Sequence, residues 1–395
     1  MKSRYLAPLI AILILGTPPV IAQSEWPTKE WPLTTPKEVG LDAKALASFD
    51  ADINEGKYGY VDSMLVIRHG KVAYERYYEH DYGSIYGQES RTPGPLVVND
   101  PTGPYNYFNP WWHPYYRRGS LHTMQSATKS VVSAVIGIAI GRNEFPALDT
   151  PVLSFFEPDK VANVDERKRR MTLGHLLTMS AGLDWNESVP YADPTNTFTI
   201  MAVSPDWVKF TIDRPMAKDP GKDFEYNSGA TLILGHVFRL ATGKDLEEYA
   251  VQHLFTPLGI NDYHWKRTPT GLVDTQEGLY VAPRDIAKIA YLFLKQGQWE
   301  ETQIVHQEWV TASLKPSLSV TDDRSIEYGY KWWLYHYQHE GKDRVAFAGV
   351  GFGNQLPIVL PELDLVLVFT GWNILPDRPR LGAKIAIERI LAAVK

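Results

Sequence analysis

The chain has 395 residues, 44% hydrophobic, 22% charged and 12% aromatic, with no cysteine and a net charge of −6 from 40 basic and 46 acidic side chains. A chain of this size and composition can bury roughly three quarters of its unfolded surface without disulfides, which excludes disordered, collagenous and disulfide-stapled classes. Mild acidity without a basic cluster argues against a nucleic-acid partner, and the missing cysteines remove thiol nucleophiles, cysteine zinc sites and iron–sulfur clusters.

At the N-terminus, Lys2 and Arg4 precede an apolar stretch over residues 6–15, then Gly16-Thr17-Pro18-Pro19 and Val20-Ile21-Ala22. This pattern predicts a secretory signal peptide over 1–22, cleaved near Ala22, and hence a periplasmic or secreted protein. The stretch contains Pro8 and falls short of the roughly 20 residues needed to span a bilayer, so no stable membrane anchor is expected after cleavage. Residues 23–40, rich in Pro, Trp and charge, read as an extended arm.

A short amphipathic helix is predicted from Asp42 as N-cap, with Leu46, Phe49 and Ile53 at helical spacing. Residues 61–67 and 72–78, separated by Arg68-His69-Gly70-Lys71, read as a β-hairpin. Residues 80–120 form a long Pro- and Gly-rich connection carrying aromatic side chains at 105–116. Such a loop is either a lid or rim over a site, or a segment glued down by its own aromatic rings.

From Gln125 to about Arg142 apolar side chains cover every face of a predicted helix, which places it centrally. Helical patterns continue to about residue 315, over 172–179, 231–242, 246–255 and 282–296. Strand character returns over 330–337, 344–349, 355–360 and 363–370, and a last helix is expected over 381–394. The expected fold is therefore α+β, an antiparallel sheet built from both chain ends and flanked by helices, with an inserted, mainly helical lobe. The sheet-bearing lobe would take about 41–120 and 316–395, and the helical lobe about 121–315, within one domain over 41–395.

Motifs narrow the chemistry. There is no G-x-S-x-G elbow, no H-E-x-x-H and no phosphate-binding loop, and Gly349-x-Gly351-x-Gly353 lacks the strand-then-helix setting of a dinucleotide site. Ser126-Ala127-Thr128-Lys129, at the start of the buried helix, is the sole S-x-x-K in the sequence. As a helix cap, Ser126 would favour Glu or Gln three residues on, to close a capping box. Lys129 stands there instead, facing the positive end of the helix dipole at a cost of about 0.3 to 1 kcal/mol.

An activated nucleophile explains the pair. Side chains three apart on a helix share a face, so the Lys129 amine can reach the Ser126 hydroxyl and act as its base. That role requires neutral Lys129, whose pKa burial would have to bring from about 10.4 towards 7. The Ser126 N–H is placed to help hold a developing oxyanion.

Met124-Gln125-Ser126-Ala127-Thr128-Lys129-Ser130 resembles the nucleophile motif of the serine beta-lactamase and penicillin-binding-protein superfamily, in particular its class C beta-lactamase-related hydrolases. Further matching blocks are Leu65-Val66-Ile67-Arg68-His69-Gly70-Lys71, Thr172-Leu173-Gly174-His175-Leu176-Leu177, Pro220-Gly221-Lys222-Asp223-Phe224-Glu225-Tyr226-Asn227-Ser228 and Tyr328-Gly329-Tyr330-Lys331-Trp332-Trp333. The resemblance implies that Tyr226 shares proton transfer with Lys129, as the tyrosine of a Y-x-N motif whose third position, on the substrate side, is here Ser228, a shorter side chain that can still hydrogen-bond. It also implies that Phe347-Ala348-Gly349 stands for the third motif, with Gly349 giving close backbone approach and Val350 a second oxyanion N–H. The cation usual in that motif is missing, and with it a partner for a substrate carboxylate. The pattern is more similar to esterase and amide-hydrolase branches such as 6-aminohexanoate-dimer hydrolases.

The expectation is an exported serine hydrolase acting on a small ester, amide or peptide without metal or organic cofactor. The alternatives are a D-alanyl peptidase or beta-lactamase on the same fold, and a non-catalytic protein that binds cell wall or glycan through the aromatic loop.

Overall fold

A computed structural model describes residues 26–92, 94, 96–97, 106–108, 120–375 and 377–395. The predicted signal segment and most of the aromatic stretch at 105–116 lie outside the described residues.

An eight-stranded antiparallel sheet organises the chain. Two strands come from the N-terminal side, β1 (Val61–Arg68) and β2 (Lys71–Tyr77). Six come from the C-terminal side: β3 (Leu318–Ser319), β4 (Ile326–Tyr328), β5 (Trp333–His339), β6 (Lys342–Ala348), β7 (Leu356–Leu360) and β8 (Leu365–Gly371). Their order is β2-β1-β8-β7-β6-β5-β4-β3, so the two ends of the chain meet where β1 pairs with β8, Leu65 opposite Val368. The β1–β2 hairpin turns on His69 and Gly70, both at positive φ, the geometry that follows the twist of paired strands.

Both faces of the sheet are covered, and side-chain alternation along each strand divides the core in two. Met64, Val66, Leu367 and Phe369 point to one face, where α1 (Ala43–Asn54) brings Leu46, Phe49 and Ile53 and the last helix brings Ile387 and Ile390. Asp42 caps α1 by accepting from the Lys44 and Ala45 amides at 2.8 and 3.3 Å. On the opposite face Leu65, Ile67, Val366 and Val368 join the core that contains α2 (Thr128–Gly141). Nearly every α2 side chain is buried. A β-carbon on Gly137 would lie 2.2 Å from the Trp309 ring, so only glycine lets α2 approach the helix Gln307–Ser313 this closely.

The middle of the chain is mainly helical, with two differences from the expected pattern. The helix over 283–294 packs against β1, β7 and β8, so the cover of the sheet reaches back into the stretch assigned to the insert. A small antiparallel sheet of His122–Thr123, Leu279–Val281 and Tyr263–Trp265 also sits where only helices were expected. Strands of two or three residues are too short to show a period of two in a sequence.

One ionic cluster ties β4, β5 and β6 together. Both ring nitrogens of His336 face carboxylates, Nε2 at 3.0 Å from Glu327 and Nδ1 at 3.0 Å from Asp343, and Arg324 also bonds Glu327. Burial opposes charge on His336, but the hydrogen bonds to Glu327 and then Asp343 prevail and raise its pKa above the ordinary histidine value. A raised folded-state pKa contributes stability that is present in full below the unfolded value and lost as pH rises through the folded one. His336→Gln should therefore lower the melting temperature more at pH 5.5 than at pH 9, a difference thermal unfolding at the two pH values will read.

Candidate active site

The site is assembled where α2 meets the strands that follow the insert. Ser126 lies in the 3-10 turn Gln125–Ala127 that leads into α2, and Gln125 just before it is held at φ 47°. A non-glycine residue in the left-handed region is strained, and here it is buried, with its Nε2 donating to Thr123 Oγ1 at 2.9 Å. The small sheet fixes the turn from outside. Met124 N–H donates to Leu279 O at 2.8 Å, and Leu279 N–H donates to Thr128 Oγ1 at 3.3 Å.

Lys129 is 1% exposed. Its Nζ donates to Ser126 Oγ at 2.8 Å and to the Gln276 carbonyl at 2.9 Å, and stands 5.1 Å from the centre of the Tyr226 ring. Tyr226 immediately precedes α3 (Ser228–Thr242), whose N-cap Asn227 accepts from Ala230 N–H. Its ring stacks on Trp333 at the start of β5, 5.7 Å between centres. Ser126, Tyr226, Trp333 and Val350 line one cleft of about 340 Å³, together with Tyr191 and Phe352.

Gly349 and Gly351 bring the end of β6 against the turn that holds Ser126. A β-carbon on Gly349 would lie 3.2 Å from Ala127 Cβ and 3.3 Å from Ser130 Oγ, and one on Gly351 would lie 2.3 Å from Met124 O. Among the described residues, no backbone carbonyl accepts the N–H of Ser126 or of Val350. Val350 lines the same cleft as Ser126.

Ser228 is placed differently from the substrate-facing position that the Y-x-N resemblance gave it. It is buried at the first turn of α3, and both its N–H and its hydroxyl donate to Glu187, at 2.9 and 2.7 Å. Glu187 also accepts from Trp185 Nε1 at 2.8 Å and from the Tyr191 hydroxyl at 3.1 Å. Four donors thus converge on one buried carboxylate, whose pKa burial nevertheless raises, with Lys129 next as the opposing influence. Tyr191, held by Glu187, forms part of the cleft wall.

A second buried lysine adjoins this group. Lys331 donates to Leu176 O at 2.6 Å and contacts Met179 Sδ at 3.3 Å, while its carbonyl accepts the Ser130 hydroxyl at 2.7 Å. Burial, reinforced by the charge of Lys129, holds its pKa well below the ordinary lysine range. Met179 in turn accepts the amides of Glu225 and Asn227, on either side of Tyr226, so Lys331 braces the segment that presents this tyrosine. Glu187, Tyr191 and Gln276 escaped the sequence reading, and Lys331 entered it only as part of a matching block, without a role. Isolated polar residues in unremarkable surroundings carry no local signal; a polar residue inside an aromatic or apolar run, as Glu187 is after Leu183-Asp184-Trp185, was the faint one available.

A family model described as Beta-lactamase matches residues 59–386. The chain is similar to the 6-aminohexanoate-dimer hydrolase of Paenarthrobacter ureafaciens, 24% identical over 277 residues, which cover 64% of this chain and 68% of that protein. It is 32% identical over 118 residues to the monacolin J acid methylbutanoyltransferase of Aspergillus terreus, a match spanning 29% of this chain and only 28% of that relative. Among solved structures, EstCE1, a hydrolase with promiscuous acyltransferase activity, superposes with a TM-score of 0.62 at 16% identity over 89% of this chain and 98% of its own, a likeness of fold. Since the family match takes in both the sheet and the insert, this chain belongs to the Beta-lactamase family.

Proposed function

We propose that this protein is an exported serine hydrolase that cleaves a small ester, amide or peptide through an acyl-enzyme on Ser126. The observation that carries the reading is the 2.8 Å contact between the buried Lys129 amine and the Ser126 hydroxyl. In acylation, neutral Lys129 takes the hydroxyl proton as Ser126 Oγ bonds to the substrate carbonyl carbon. The carbonyl oxygen gains negative charge and is held by the Ser126 and Val350 amides, where preorganised donors contribute most. As the intermediate collapses, the bond to the alcohol or amine breaks, and the proton passes from Lys129, with Tyr226 beside it, to the leaving group. Water then attacks the acyl carbon and gives its proton to the same base; as the bond to Ser126 Oγ breaks, Lys129 returns that proton to Oγ, which releases the acid and restores the hydroxyl. Every proton and electron pair is accounted for by these groups, so the cycle requires no metal or organic cofactor.

The Tyr226 ring presents its face to Lys129 at 5.1 Å, which favours the cationic form that Lys129 reaches after taking the proton. An ester or short amide suits the site better than a beta-lactam or a D-alanyl peptide. Phe347 and Ala348 supply no cation beside Gly349, where a charge-assisted bond to a carboxylate would contribute about 1.5 to 3 kcal/mol, and the cation in the cleft wall, Arg380, is exposed to solvent. Export rests on the N-terminal sequence. Among the described residues no helix is long and apolar enough to cross a membrane.

Ser126→Ala should lower kcat/KM for p-nitrophenyl acetate by more than about a thousand-fold, and Lys129→Met by at least about a hundred-fold. A fluorophosphonate probe should label the wild type and not Ser126→Ala; equal labelling of both would sink the mechanism. Ser228 acts on Glu187 and not on substrate, so Ser228→Ala should cost about 1 to 3 kcal/mol in urea unfolding. Its kcat/KM should fall by less than ten-fold with KM nearly constant, whereas a substrate contact would raise KM.

A further inference from the structure

Beside the cleft that contains Ser126 lies a larger cavity, of about 730 Å³. The two share Tyr191, Phe352 and Arg380 in their walls, so they are neighbouring compartments around one aromatic divider. That divider is held in place. The Tyr191 hydroxyl donates to Glu187 at 3.1 Å, and the ring packs edge-on against Phe352 and Phe198, with centres 4.8 and 5.2 Å away.

The lining states what the cavity accepts. Leu96, Val97, Phe108, Val189, Ile374 and Leu375 give it an apolar body. Glu187 also borders it, but its carboxylate already receives four hydrogen bonds from the protein and offers an occupant no unmet acceptor. Gln88, Thr92 and Arg380 are exposed and place the polar part of the wall at the outer end. The volume lies within the range of pockets that enclose small organic ligands, roughly 300 to 1,000 Å³. The cleft itself, at about 340 Å³, is less than half as large.

We infer that this cavity is a substrate subsite: it takes an extended apolar arm, with a polar group at its far end, of an ester or amide whose carbonyl is attacked by Ser126. The inference rests on the hydrolase reading and adds the substrate class to it. Each methylene buried in the cavity raises kcat/KM by roughly three- to four-fold until the body is filled. Trp in place of Val97 or Leu375 fills that body and removes the gain.

The experiment uses two ester series on the purified chain, p-nitrophenyl esters from acetate to decanoate and acetate esters of alcohols from ethyl to decyl. In one series the ratio of kcat/KM for the eight-carbon to the two-carbon member should exceed about a hundred-fold, and Val97→Trp or Leu375→Trp should reduce that ratio at least ten-fold. Circular dichroism confirms that each variant is folded. Calorimetric titration of the same esters into Ser126→Ala reads the cavity without chemistry, and Kd should fall along the same series. Flat profiles in both series, by rate and by Kd, or a gain that survives in both Trp variants, would overturn the subsite. Loss of Ser126-dependent turnover of the acetate ester with the Kd trend intact would overturn the hydrolase reading and leave the cavity standing.

Discussion

A lysine amine enclosed in protein, 2.8 Å from a serine hydroxyl, is the constraint from which the rest of the site follows. Desolvating an ammonium is costly, so such a group must be given polar partners or allowed to lose its proton. Lys129 has such partners: the Gln276 carbonyl takes one of its hydrogens, Ser126 another, and the Tyr226 ring covers a third side. Its charge opposes the burial that raises the Glu187 carboxyl and reinforces the burial that lowers Lys331, so the amine, the carboxylate and the second lysine are balanced against one another.

The geometry that maintains this balance comes from far apart in the chain. The Ser126 turn is pinned by the short strand Leu279–Val281, about 150 residues later, and pressed from the other side by Gly349 and Gly351 at the end of β6. The sheet behind β6 is buried on both faces, so its end is a rigid stop. Helix α2 in turn is anchored by close packing at Gly137. Ser126 is therefore fixed between a sheet and a helix that do not yield, and the strain at Gln125 is sustained by both.

What the sequence made legible was local. Ser126 and Lys129 are three residues apart, so a helix alone brings them together, and the uncharged faces around Lys129 announced its burial before any fold was known. The β1–β2 hairpin and the Asp42 cap were readable for the same reason, since each is decided by neighbours within a few residues. Ser228 shows the limit. Its motif position suggested the substrate side, but orientation was decided by Glu187, forty-one residues earlier, which gathers the first turn of α3 around a buried carboxylate. The small sheet and the role of Lys331 were invisible because each depends on partners that only tertiary structure supplies.

The aromatic stretch before Ser126 acquires a physical link to Lys129 through the residues of it that are described. Tyr107 is buried, its hydroxyl donates to Glu277, and its carbonyl accepts from Trp372 Nε1 at 2.8 Å. Glu277 adjoins Gln276, whose carbonyl holds Lys129, and both of their amides are gathered by Asp274 Oδ1 at 3.3 and 3.1 Å. Burial, and next the charge of Glu277, push the Asp274 carboxyl up to about 7. Tyr107 is thus one hydrogen bond from the loop that positions Lys129. A change in this stretch can reach Lys129 through the Glu277–Gln276 peptide without passing through the substrate cleft, so part of the chain's high aromatic content serves to hold the amine in place.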